Sequence, residues 1–139
     1  MTGLPPLSDT LEEYQLLDGE DRYGLLIDLG RQLEPMADAL KTDATKVRGC
    51  SASVWVYPTV HDGRLHFLAD SNAAITKGIV ALILAAVQDK PASEVAQMDV
   101  TQALAPFELG KHLSANRTQG VPNMIALVKQ TAERFAAAA

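Results

Sequence analysis

The sequence is short of thiols, of aromatic rings and of positive charge. Its one cysteine, Cys50, cannot close an internal disulfide, form a CxxC redox pair or build a zinc–thiolate knuckle alone, and it fits a reducing cytoplasm. Three Phe, three Tyr and one Trp are spread over 139 residues, and 17 acidic side chains face 12 basic ones for a formal charge of −5. Nucleic acid would require a basic, aromatic-laced face, so that partner class is excluded. The longest mainly apolar run, Ile75 to Val87, is too short to cross a bilayer and is interrupted by Lys77, so no membrane partner is expected. Met1 to Ser8 lacks a cationic stretch leading into an apolar one, so no export signal is expected. Neither G-x-G-x-x-G nor a P-loop occurs, which leaves nucleotide binding without support. His61, His66 and His112 are scattered without ligand spacing, and no metal site is expected.

Apolar residues make up 47% of the chain and charged ones 21%, as in ordinary soluble domains. The length suits a single domain over residues 1–139 with a real core, preceded by an extended arm over about residues 1–9. Thr10-x-x-Glu13 fits a capping box that starts a short helix through about Leu17, ended by Asp18-Gly19. A second helix, about Glu20 to Leu33, places Tyr23, Leu26, Ile27, Gly30 and Leu33 on one stripe, with Gly30 allowing close packing. Pro35 breaks the period, and Glu34 to Lys46 reads as a loop with one turn near Met36–Leu40. Val47-Arg48 reads as a brief strand, followed by strands over Ser53 to Pro58 and Leu65 to Asp70. The last two are joined by the hairpin signal Asp62-Gly63.

Asp70-Ser71-Asn72 offers side-chain caps for a helix from about Ala73 to Gln88. Apolar nearly all round, that helix is expected to be central, buried and laid over the sheet, with Lys77 snorkelling to water. Pro91 is expected to start a short helix through Met98. Val100 to Leu113 is helical but interrupted at Pro106 and Gly110, and Ser114 to Thr118 is a polar turn. A final helix from about Gln119 to Ala136 turns Met124, Leu127 or Val128, Thr131 and Phe135 inward. The implied fold class is α/β of the α+β kind: a small antiparallel sheet of about three strands packed against helices.

The stretch from Val47 to Tyr57 holds both the only cysteine and the only tryptophan. Gly49 precedes the thiol, small residues follow it, and then Val54 and Val56 alternate with Trp55 and Tyr57 as in a strand. Cys50 is therefore expected on a loop at the mouth of that strand. Two readings stay open on these residues alone. One is a nucleophile presented to another macromolecule, the other a small apolar side chain packed in the core. A Cys–His dyad would draw on His112 as its only distal base, since His61 and His66 lie on the hairpin itself.

The segment Arg48-Gly49-Cys50-Ser51-Ala52-Ser53-Val54-Trp55 resembles the G-C-x-S-x-V-W signature of the SufE family of sulfur acceptors, to which the CsdE proteins belong. The resemblance continues through Asp70-Ser71-Asn72-Ala73-Ala74-Ile75-Thr76-Lys77-Gly78, similar to D-S-D-A-x-I-x-K-G. It returns in His112-Leu113-Ser114-Ala115-Asn116-Arg117-Thr118-Gln119-Gly120, similar to H-L-T-P-S-R-x-x-G. The helix pattern Tyr23-x-x-Leu26-Ile27-x-Leu29-Gly30 also resembles the family's. Ser51 stands where Gln is common, Asn72 replaces Asp, and Ala115-Asn116 replaces Pro-Ser.

This resemblance implies a fold with a small curved sheet on helices, similar in topology to iron–sulfur scaffold proteins. It implies that Cys50 takes persulfide sulfur from a SufS/CsdA-like cysteine desulfurase, stimulates that enzyme, and relays the sulfur toward a downstream iron–sulfur scaffold. No cofactor of its own is implied beyond the transient persulfide on Cys50, because the pyridoxal phosphate belongs to the desulfurase. Arg48, Gly49, Ser51, Asp70, Lys77, His112 and Arg117 become the residues expected to contact the partner or support the thiolate. A cytoplasmic monomer acting as an accessory protein is expected. The alternatives are an independent single-cysteine peroxidase or hydrolase, and a non-catalytic binding module with Cys50 buried.

Overall fold

A computed structural model describes residues 3–138, and two helices open it: α1 (Leu7–Leu16) and α2 (Gly19–Gly30). A 3-10 turn at Asp38–Leu40 precedes the hairpin of β1 (Val54–His61) and β2 (Arg64–Ser71). Helix α3 (Ala74–Val87) follows, then the short strand β3 (Lys90–Pro91). The chain finishes through α4 (Ala92–Gln97), α5 (Val100–Leu104), α6 (Leu109–His112), α7 (Ala115–Thr118) and α8 (Val121–Ala138). The fold is α+β, as the sequence implies.

The sheet order is β1-β2-β3, antiparallel throughout. Its hairpin register runs from Val54 opposite Ser71 to His61 opposite Arg64. Asp62 (φ 53°) and Gly63 (φ 77°) both take the left-handed region, which gives the turn a twist matching that of the strands. One face of the hairpin, with Val54, Val56, Leu65, Phe67 and Ala69, is buried. Helix α3 lies between that face and α2, and Ile79, Leu82, Ile83, Leu84 and Val87 are all sealed from water. Each such side chain contributes roughly 1.5–3 kcal/mol by burial, which is why an almost wholly apolar helix is stable at this one position.

The third strand is not where the sequence suggests. Arg48 and Gly49 form a turn, so Val47-Arg48 makes no strand. Only Lys46 bridges to Trp55, flanked by Val47 N–H to Val54 C=O and Val56 N–H to Thr45 C=O, both 2.8 Å. The actual third strand is Lys90–Pro91, opposite Leu65 and Arg64, where an edge position tolerates a residue without N–H. Gln88 extends that edge with its side chain: Oε1 accepts from Phe67 N–H at 2.7 Å and Nε2 donates to Phe67 C=O at 2.8 Å.

Several boundaries differ for identifiable reasons. Helix α1 begins at Leu7 after Pro6, whose ψ of 142° holds the chain extended, so the described part of the arm ends sooner than expected. Met1 and Thr2 of that arm lie outside the described residues. Thr10 is buried inside α1 and its hydroxyl donates to Pro6 C=O, so there is no capping box. Helix α2 stops at Gly30, and Leu29 joins Leu26 in the core. The cap of α3 is Ala73, whose side chain can make no cap bond; its N–H donates to Ser71 Oγ at 3.3 Å, while the oxygens of Asp70 and Asn72 are engaged elsewhere. Pro91 stands one residue before α4. The break before α6 falls at Glu108 (φ 51°), while Gly110 lies within α6. Ser114 to Thr118, expected as a turn, contains the helical turn α7.

Candidate functional site

The Cys50 loop starts from the Lys46 bridge and turns through Gly49. At φ 83° Gly49 occupies a region that suits glycine, and a Cβ there would stand 2.2 Å from Asn123 Nδ2. The loop tip then rests on the corner between α7 and α8. Cys50 is half-buried, and its Sγ donates to Gly120 C=O at 3.8 Å. Ser51 Oγ donates to Asn116 C=O at 3.0 Å and accepts from Gln119 Nε2 at 2.8 Å. The loop's exit is tied to the turn between β2 and α3. Ser53 N–H donates to Asn72 Oδ1 at 3.1 Å, and Ser53 C=O accepts from Ser71 Oγ at 2.7 Å and from Asn72 N–H at 3.3 Å. Ser71 and Asn72, two of the residues expected to cap α3, thus anchor the exit of the cysteine loop.

Burial pushes the Cys50 thiol above its ordinary pKa, so the seated side chain is a neutral thiol at neutral pH. An open cleft of about 480 Å³ beside it is lined by Asp43, Lys46, Val47, Arg48 and Gly49. Arg48 is exposed on this cleft. Arg117 lies with its guanidinium 5.8 Å from the Tyr23 ring centroid, and Tyr23 OH donates to His112 C=O at 3.0 Å.

The remaining expected residues fall into separate groups. His112 Nε2 accepts from Arg22 Nη1 at 2.7 Å, and its ring meets Tyr14 edge-on, so its free lone pair is committed to α2 rather than to a thiol. Asp70 is clasped by two cations, Lys41 Nζ at 2.7 Å and Lys77 Nζ at 3.1 Å. Lys77 therefore ends in an ion pair instead of free solvation. Lys41 also lies 5.7 Å above the Trp55 ring, so this array occupies the outer face of the hairpin, behind the loop's exit turn. His66 bridges Asp89 and Glu34. Among the described residues, no cluster of His, Cys, Asp and Glu has the geometry to hold a metal ion.

The structure thus brings Gly49, Cys50 and Ser51 together with Asn116, noted in the sequence only as a departure from the third motif, and with Gln119, Gly120 and Asn123, to which the sequence assigns no role. Gln119 and Gly120 lie inside the third motif, so a signal for them exists. For Asn123, Lys41 and Arg22 there is none.

The profile of the SufE family, described as an Fe-S metabolism associated domain, matches residues 8–132. An uncharacterized SufE-like protein of Rhizobium etli is 36% identical over 137 residues, covering 95% of this chain and 93% of that protein. An uncharacterized SufE-like protein of Rhizobium meliloti is 35% identical over 132 residues, covering 91% and 94%. The solution structure of a hypothetical protein from Thermus thermophilus aligns with a TM-score of 0.75 across 96% of this chain and 98% of that one. At 16% identity it speaks to the fold alone. A family profile that spans the helices, the cysteine loop and the corner beneath it, together with relatives alike over nearly their full length, places the chain in the SufE family.

Proposed function

We propose that the protein is a sulfur acceptor that takes persulfide sulfur from a cysteine desulfurase onto Cys50 and relays it toward iron–sulfur cluster assembly, acting as one domain in the cytoplasm. The observation that carries this reading is the loop itself. One half-buried thiol sits at its tip, held by exposed side-chain bonds, on a surface that a second protein can reach. Cys50 Sγ, as thiolate, attacks the terminal sulfur of the donor's persulfide. A new S–S bond forms on Cys50, the donor's S–S bond breaks, and the donor cysteine leaves as thiolate, with the Cys50 proton passing to solvent or to that leaving group. The oxidation level of the transferred sulfur is kept, so no outside oxidant is needed. A single cysteine suffices because the next protein removes the sulfur. The pyridoxal phosphate that first liberates sulfur belongs to the donor, and the exposed Arg48 and Arg117 meet the donor's surface or support the thiolate once docked.

The solitary-enzyme reading loses its base, since His112 is bound to Arg22. The test is intact mass after incubation with a cysteine desulfurase and free cysteine. A gain of one sulfur atom, removed by reductant and missing in Cys50→Ser, is expected, together with faster desulfurase turnover. Unchanged mass of the wild-type chain, or stimulation retained by Cys50→Ser, would sink the proposal.

A further inference from the structure

We propose that Gly120 is the positioning residue of the acceptor thiol: its missing side chain makes the seat that Cys50 fills, and the Ser51 bonds to the α7–α8 corner hold the loop in that seat. A Cβ built on Gly120 would stand 2.3 Å from Cys50 Sγ, 3.0 Å from its Cβ and 3.1 Å from its Cα. The severe overlap is with Sγ, while Cβ and Cα are only tightly approached, so an alanine here leaves the loop base in place and turns the sulfur out of the seat. Thiol and side chain compete for one volume.

Gly120 is not among the glycines in the left-handed region, unlike Gly49, so backbone conformation does not demand a glycine here. Space does. The same residue supplies the carbonyl that receives the thiol, and this carbonyl also accepts Met124 N–H at 3.0 Å, which fixes it at the start of α8. Ser51 and Gln119 are exposed, so the bonds that hold the loop exchange for water at little net loss. The seat is therefore firm underneath and releasable at its rim. Seated, the thiol is desolvated and faces a carbonyl, both of which favour its protonated form. Lifted, it is an ordinary thiol. The purpose of this device rests on the acceptor reading, since it shields the sulfur from small electrophiles until a donor displaces the rim.

The test is the rate of iodoacetamide alkylation of the full chain across pH, for wild type, Gly120→Ala and Ser51→Ala. In Gly120→Ala the thiol cannot be seated, and the midpoint of the pH–rate profile is expected to fall toward an ordinary thiol. The neutral-pH rate rises about tenfold for each pH unit the midpoint falls. Ser51→Ala, which adds no bulk, is expected to react several-fold faster than wild type. A folded Gly120→Ala with the wild-type rate and midpoint overturns the proposal, because a merely structural glycine would alter melting without moving the midpoint. Should Gly120→Ala not fold, Ser51→Ala decides: a wild-type rate overturns the proposal and a raised rate supports it. Alkylation needs no donor, so failure of the acceptor reading appears separately, in the mass measurement.

Discussion

Gly78 of α3 and Leu26 of α2 approach so closely that a Cβ on Gly78 would stand 2.1 Å from the Leu26 carbonyl oxygen and 2.9 Å from its Cβ. Gly30 answers from the other helix, where a Cβ would lie 2.9 Å from Gly78 N and 3.1 Å from Lys77 C. Neither glycine is in the left-handed region, so both are there to let two backbones meet. The Lys-Gly pair ending the second motif thus has two separate physical roles: Lys77 in an ion pair and Gly78 in the helix crossing.

Gly78→Ala is accordingly expected to cost about 3 kcal/mol, the upper part of the usual range for overpacking, because rigid backbone is the obstacle. Gly30→Ala meets backbone at 2.9 and 3.1 Å rather than at 2.1 Å, so its cost is expected to be smaller, about 1 kcal/mol. Urea unfolding of the two variants checks the order. Equal midpoints for wild type and Gly78→Ala would contradict the close crossing.

Asp70 holds Lys41 and Lys77 together, with its side chain only 17% exposed. Burial pushes its pKa up, but hydrogen bonds from Lys41, Lys77 and the Ser71 N–H outweigh burial and hold the carboxyl below its ordinary value. Such a depressed group contributes stability above its unfolded pKa and loses it as pH falls through the folded one. Asp70→Ala would leave two ammonium groups facing each other, and adding Lys77→Met should relieve part of that. The double-mutant cycle is expected to give a coupling of about 0.5–1 kcal/mol, as for partly solvated pairs. Strict additivity would show the pair to be ornamental.

Local signals in the sequence carry the hairpin, the buried helix α3 and the cysteine loop. Asp62-Gly63 takes the turn that its residues favour, and the run from Ile75 to Val87 has no stable place except the core. What escapes a local reading is fixed by distant partners. Lys90–Pro91 is a strand only because Arg64 and Leu65 lie opposite it, and no two-residue segment carries a period. Ser71 and Asn72 look like helix caps in any local window, yet Ser53 claims their polar groups. Cys50, Gly49 and Ser51 are legible from composition and motif. Their contacts with Gly120, Asn123 and Gln119 cross about seventy positions of sequence and follow from how α8 packs. His112 reads as a distal base in the sequence; Arg22, which occupies it, bears no motif.

His66 ties three segments together: β2, the loop after α2 through Glu34, and the turn after α3 through Asp89, whose carbonyl also accepts from Arg64 Nη1 at 3.1 Å. His61 meets the ring edge-on at 6.2 Å and is itself bonded to Thr59, 3.3 Å away. Burial pulls the His66 pKa down, but the hydrogen bonds and charges of Asp89 and Glu34 outweigh it and raise the imidazolium above its ordinary 6.5. For a raised group the stabilisation is complete below the unfolded pKa and is lost as pH climbs through the folded one. The wild-type chain should therefore lead His66→Gln most clearly in thermal melts near pH 5.5 to 6, by a few degrees on an order-of-magnitude basis. That lead should shrink as pH rises above about 6.5. Parallel melting curves at every pH would mean that His66 joins these segments as a neutral ring, and the clasp would then draw nothing from charge.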